Sequence, residues 1–185
     1  MEQPDDWYTT DPTPYISGKN WNIPFVESRL DNILKEQNYD FVITMLPHVG
    51  QHGHHKTAVL MGLRAVIRFK GPKKPIIIAG SPMSLNSKPL DFAELAGFPE
   101  TKIKPGTPTY TLNRAFRFKE NDKLSYKIVA DWVISAYKSQ GAIQENAIHK
   151  TDMETYRYFD VNDLAGINQV EKLFRDLAKS GFPAP

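Results

Sequence analysis

Four of the five histidines in this 185-residue chain fall within eight positions: His48, His52, His54 and His55, in the run Leu46-Pro47-His48-Val49-Gly50-Gln51-His52-Gly53-His54-His55-Lys56-Thr57-Ala58. Imidazole is the commonest protein ligand for zinc, and His52 and His55 are spaced i, i+3, so a turn opening into a helix aims both rings into one cleft. A ring in the first turn of a helix lies near the positive end of the macrodipole, which disfavours imidazolium and favours the neutral, metal-binding form. On that ground His55 is the first candidate ligand. His52, one turn earlier, is placed to contact substrate or to stabilise a developing oxyanion, a division of tasks common in hydrolytic zinc sites. The spacing supports equally that these are polar loop residues or helix caps that bind nothing, because His-x-x-His pairs arise by chance. Gly53 has two readings as well, a sharp turn between the rings or an ordinary loop glycine. His48 and His54 receive no task.

Positioning such a cluster requires a strand before it and a helix after it. Tyr39 to Leu46 reads as a buried strand ended by Pro47, and it is fed by a helix whose Val26, Leu30, Ile33 and Leu34 follow helical spacing between Phe25 and Gln37. Beyond the histidines, Thr57 to Phe69 carries Val59, Leu60, Leu63, Val66 and Ile67 on a helical period and stops before Gly71-Pro72. A second short buried strand, Pro75 to Ala79, follows. The alternation of helix and strand predicts an α/β fold with a parallel sheet, in which ligands gather at the carboxyl ends of the strands. The histidines follow such an end.

The remaining segments are plainer. Residues 1–23 hold Trp7, Tyr8, Tyr15 and Trp21 among Pro, Thr, Asp and Gly without a period, and read as an irregular aromatic loop. Those aromatics either stack on a ligand ring or pin the loop to the core, and the second is the favoured reading. Gly80 to Gly106 reads as a connecting excursion or lid. Thr107 to Phe118 alternates as a strand. Asn121-Asp122 then caps a helix whose Leu124, Ile128, Val129, Trp132, Val133 and Ala136 form one apolar stripe, ended near Gly141. A final helix runs from Ile167 to Lys179.

Composition narrows the function classes. Hydrophobic residues make up 41% and charged residues 24%, which predicts a folded globular protein, a single domain over 1–185. Net charge is +2 with no basic block or stripe, so nucleic acid is not an expected partner. There is no cysteine, so any metal must be held by nitrogen and oxygen ligands. No apolar run approaches the roughly 20 residues of a membrane span, and Met1 to Asp6 lacks the features of a signal peptide. The expected location is cytoplasmic by default.

Gln51-His52-Gly53-His54-His55-Lys56-Thr57-Ala58, preceded by Tyr39 to Pro47, resembles the second metal-site motif of the PIG-L/LmbE-like deacetylases, and Tyr137-Lys138-Ser139-Gln140 resembles an aromatic-or-His, x, Ser, Gln element found later in that family. The resemblance extends over most of the chain. It implies a Rossmann-like, parallel-sheet, three-layer sandwich. The activity implied is zinc-dependent N-deacetylation, with N-acetylglucosamine derivatives or related linear amides as substrates. It further implies that His55 is a zinc ligand and that His52 assists the oxyanion. In such a site zinc polarises the amide carbonyl and lowers the pKa of its bound water toward about 7.

One part of the family pattern is not found. The family carries His-Pro-Asp-Asp after its first strand, where the histidine and second aspartate complete the zinc site and the first aspartate is the general base. Gln3-Pro4-Asp5-Asp6 only imitates it: glutamine stands at the histidine position, and no strand precedes it. Asp5 and Asp6 read as loop acids. Asp11, Asp31 and Asp40 are carboxylates that could substitute, none with a persuasive spacing. The expectation is therefore a sandwich incomplete at its N-terminus, the C-terminal portion of a deacetylase with an incomplete zinc site, whose partner is a missing N-terminal segment. The alternative is a catalytically dead carbohydrate- or partner-binding module of the same fold, and a further one is an unstable fragment.

Overall fold

A computed structural model describes residues 9–83, 88–118, 123–136 and 151–179. Gln3 to Tyr8, Asn121-Asp122, Tyr137 to Gln140 and Gly141 lie outside the described residues. The chain divides into two compact units, one of Met1–Gly80, Asp91–Pro108 and Arg157–Gly166, the other of Ser81–Leu90, Thr109–Tyr156 and Ile167–Pro185.

The first unit opens with a single helical turn, α1 (Thr13–Ile16), and a full helix, α2 (Ile23–Gln37). The Asn22 side chain accepts from the Phe25 N–H at 3.2 Å, satisfying one of the orphan donors at the start of α2, and Asn38 ends the helix in the left-handed conformation at φ 47°. Strand β1 (Phe41–Met45) follows, then α3 (Gly53–Arg68) and β2 (Ile76–Met83). β1 and β2 pair in parallel with Phe41 opposite Ile76 and Met45 opposite Gly80. The apolar period of α3 puts Val59, Leu63 and Val66 against Leu34 of α2 and Ile77 and Ala79 of β2, the core of this unit. At its far end Arg68 reaches Glu27 at 2.7 Å and Asp31 at 3.0 Å, tying α3 to α2.

The two parallel strands differ in cover. Ile76, Ile77, Ile78 and Ala79 are all buried, the continuous apolar run of a strand enclosed on both faces. β1 is not the buried strand its composition suggested: Ile43 is 59% and Met45 41% exposed, while Val42 and Leu46 face the core. The reason is the two-residue alternation of a strand: the face of Val42 and Leu46 is covered by the core below α3, and the opposite face, carrying Ile43 and Met45, is left open. Asn162 holds β2 from a loop: its Oδ1 accepts from the Ile77 N–H at 2.9 Å, and its Nδ2 donates to the carbonyls of Ile77 (2.7 Å) and Phe159 (3.0 Å).

In the second unit, β3 (Tyr110–Asn113) runs antiparallel to β6 (Met153–Tyr158), with Tyr110 opposite Tyr156. Pairing is thus parallel between β1 and β2 and antiparallel between β3 and β6, so the all-parallel expectation holds only for the first pair. The predicted strand from Thr107 to Phe118 is broken by a turn into β3 and β4 (Arg117–Phe118). Leu124, assigned to a helix by its spacing, lies instead in β5 (Leu124–Ser125), paired with β4. α4 (Tyr126–Ala136) begins after it. Its stripe does not face a core: Ile128, Trp132 and Val133 are 38%, 60% and 57% exposed. α5 (Gly166–Leu177) places Phe174 against Tyr110 and Tyr156, with ring centroids at 5.2 and 4.9 Å. No helix among the described residues is long and apolar enough to cross a membrane.

Candidate functional site

The histidine segment sits where the sequence places it, beyond the carboxyl end of β1. Leu46 donates its N–H to the Gly80 carbonyl at 2.8 Å, the last rung beside β2. The chain then turns through His48 and Gln51, whose N–H donates to the His48 carbonyl at 3.0 Å. α3 starts at Gly53, four residues earlier than its apolar period indicates, with His52 at the N-cap. His54 and His55 therefore belong to the first helical turn, because a polar N-terminal turn carries no apolar signal to announce it.

The i, i+3 spacing brings two rings near one another. The rings of His52 and His55 lie with centroids 5.8 Å apart, His55 exposed and His52 half-buried. His54, to which the spacing assigned nothing, is the more tightly held ring. Its Nδ1 is 2.9 Å from Nδ1 of His52, with the ring centroids 4.9 Å apart. Its other neighbours are Tyr15 at 4.1 Å and Trp21 at 5.9 Å. The aromatic segment is thus pinned: Tyr15 is 1% exposed, and its ring belongs to the packing around His54. Trp7 and Tyr8 lie outside the described residues.

Three features of α3 hold that segment down. The Gly53 N–H donates to the Thr9 carbonyl at 2.7 Å. The Thr57 hydroxyl donates to the Gly53 carbonyl at 2.8 Å and reaches the Pro12 carbonyl at 3.4 Å. Lys56, only 3% exposed, donates from Nζ to the carbonyls of Thr10 and Val49, both at 2.7 Å. Burial pushes the Lys56 ammonium below its usual range, and the charge of Asp11 partly opposes that. The Asp11 carboxylate is itself held low by the Thr13 side chain and backbone N–H, with a smaller contribution from Lys56.

Gly53 needs no unusual φ, so the sharp-turn reading of this glycine gives way to one of close approach. A Cβ there would stand 2.4 Å from the Asp11 carbonyl oxygen and 3.0 Å from the Tyr15 ring. Gly53→Ala is accordingly expected to destabilise the protein by about 2 kcal/mol through overpacking. Helix propensity alone predicts the reverse sign, a gain of up to about 1 kcal/mol. Thermal unfolding decides between them, and a raised midpoint would show that residues 9–15 do not lie against α3.

The described residues do not complete a zinc centre. Among them no three His, Asp or Glu side chains converge to hold a metal. The three aspartates that could substitute are engaged elsewhere: Asp11 accepts from the Thr13 N–H at 2.9 Å, Asp31 pairs with Arg68, and Asp40 pairs with Lys73. His55 alone is at most one member of a ligand set, since a catalytic zinc normally takes three protein ligands. Compared with protein-family models, curated proteins and solved structures, the chain gives no match.

Proposed function

We propose that this chain carries the second-motif part of a zinc-dependent N-deacetylase centre, on a portion of a Rossmann-like three-layer sandwich. In this reading His55 is the chain's metal ligand and His52 the group that meets the amide oxygen as it gains charge. The substrate is an N-acetylated sugar or a related linear amide. The observation that supports it is the convergence of the His52 and His55 rings, 5.8 Å apart in and just before the first turn of α3, beyond the carboxyl end of β1. The ligands still needed come from outside the described residues.

Zinc titration of the whole chain by calorimetry tests this. Weak binding is expected, reduced at least tenfold in His55→Ala, about 1.4 kcal/mol at the least. Supplying a His-Pro-Asp-Asp segment in trans is expected to tighten zinc binding and to bring deacetylation of an N-acetylglucosamine substrate. Zinc affinity indifferent to His55 would sink the proposal.

The absence of a three-ligand set among the described residues favours a second reading, a binding module of the same fold without catalysis. It predicts sugar binding unchanged by chelator and by His55→Ala.

A further inference from the structure

The contact between His52 and His54 constrains chemistry that neither residue shows by itself. Their Nδ1 atoms are 2.9 Å apart, a hydrogen-bond distance between two atoms of the same kind. Such a bond holds one proton. Two neutral rings joined this way must therefore be opposite tautomers: the donor keeps its proton on Nδ1 and leaves Nε2 bare, while the acceptor carries its proton on Nε2. Whichever part His54 plays, it decides whether His52 offers its surroundings an N–H or a lone pair.

We propose that His54 is a positioning residue that donates from Nδ1 to Nδ1 of His52, locking His52 as the Nε2–H tautomer. The direction rests on the reading of His52 given above, since a group that meets a developing oxyanion must present a proton. It also separates the two rings by task, because an Nε2–H and an Nδ1 engaged as acceptor leave His52 no nitrogen for a metal, whereas His55 takes no part in that bond. His54 is suited to the work by its surroundings. Tyr15 lies against it at 4.1 Å and Trp21 at 5.9 Å, and its place in the first turn of α3 fixes its backbone. A ring held on these sides gives His52 one partner in one direction, as a carboxylate or carbonyl does for many functional histidines.

The test is the tautomer itself, read without metal or substrate. In long-range proton–nitrogen correlation spectra of the 15N-histidine-labelled protein, protonated and bare ring nitrogens are resolved. At alkaline pH, above the ordinary imidazole range, His52 is expected as a single Nε2–H form and His54 as Nδ1–H. An asparagine amide nitrogen lies near the place of Nδ1, and a glutamine amide reaches toward Nε2. His54→Asn is therefore expected to preserve the His52 tautomer, and His54→Gln and His54→Ala to release it to a mixture. His52 found as Nδ1–H in the unsubstituted protein overturns the proposal with no variant needed. So does a His52 tautomer that survives both His54→Gln and His54→Ala. Because zinc is absent, failure of the metal reading, seen as zinc binding indifferent to His55, is distinguishable from failure of this one.

Discussion

Tyr15→Ala is expected to cost about 4 kcal/mol of stability, the range for removing a large aromatic ring from a packed interior. The ring is 1% exposed and fills the space between His54, Trp21 and the bare Cα of Gly53, to which no side chain can be added in compensation. The substitution removes the apolar anchor that keeps residues 9–16 over the first turn of α3. His54 then loses its nearest ring, and its bond to His52 is expected to loosen with it. Tyr15→Phe keeps the ring and is expected to stay within about 1 kcal/mol of the unsubstituted protein. Urea unfolding followed by circular dichroism measures both. If Tyr15→Ala unfolds at the same urea concentration as the parent, the segment is not part of the structure that orders the histidines.

Lys56→Met carries the second large effect, a loss of about 3 kcal/mol. Methionine preserves the buried stem and removes the ammonium, so the carbonyls of Thr10 and Val49 each lose a charged donor at a cost of about 1–3 kcal/mol. Relief of burying a charge returns part of that, and water reaching the exposed residues Thr10 and Val49 returns some more, which keeps the net below the sum.

The pH dependence has a definite sign. Burial lowers the folded-state pKa of Lys56 below 10.5, so between that lowered value and 10.5 the unfolded chain binds more protons than the folded one. This group's contribution to stability therefore grows as pH rises through the window, and is lost as pH falls through the folded value. The stability difference between the parent and Lys56→Met is expected to widen with pH up to about 10.5. A difference that narrows over that range would mean that the ammonium is not desolvated in the folded state.

Much of the first unit is legible in sequence because its apolar residues repeat at one period per element. α2, β1, α3 and β2 are found from Val26 and Leu34, from Phe41 to Met45, from Val59 to Val66, and from Ile76 to Ala79. Boundaries fail where the residues are polar, as at Gly53 to Lys56, whose helical start rests on hydrogen bonds to Thr9 and Thr10 from 44 and 46 residues earlier in the chain. The second unit is read less well. β6 has no clean alternation, burying Thr155, Tyr156 and Tyr158, and it goes unrecognised. Leu124 carries a helical spacing yet pairs with nearby Phe118, because strands of only two residues are too short to show a period of their own.

The spacing of the histidine cluster brings His52 and His55 near one another once a helix starts at Gly53, since three positions are close to one turn at 3.6 residues per turn. Composition also bounds the metal chemistry, because a chain without cysteine offers only nitrogen and oxygen ligands. The role of His54 could not be derived that way. Its partners Tyr15 and Trp21 stand 39 and 33 residues before it, and a local period carries no information about residues brought together by chain folding. The same holds for Lys56, which reads as an ordinary polar helix residue until burial and the carbonyls of Thr10 and Val49 make it a clamp, and for β1, where only the packing of α3 decides which of its two faces is covered.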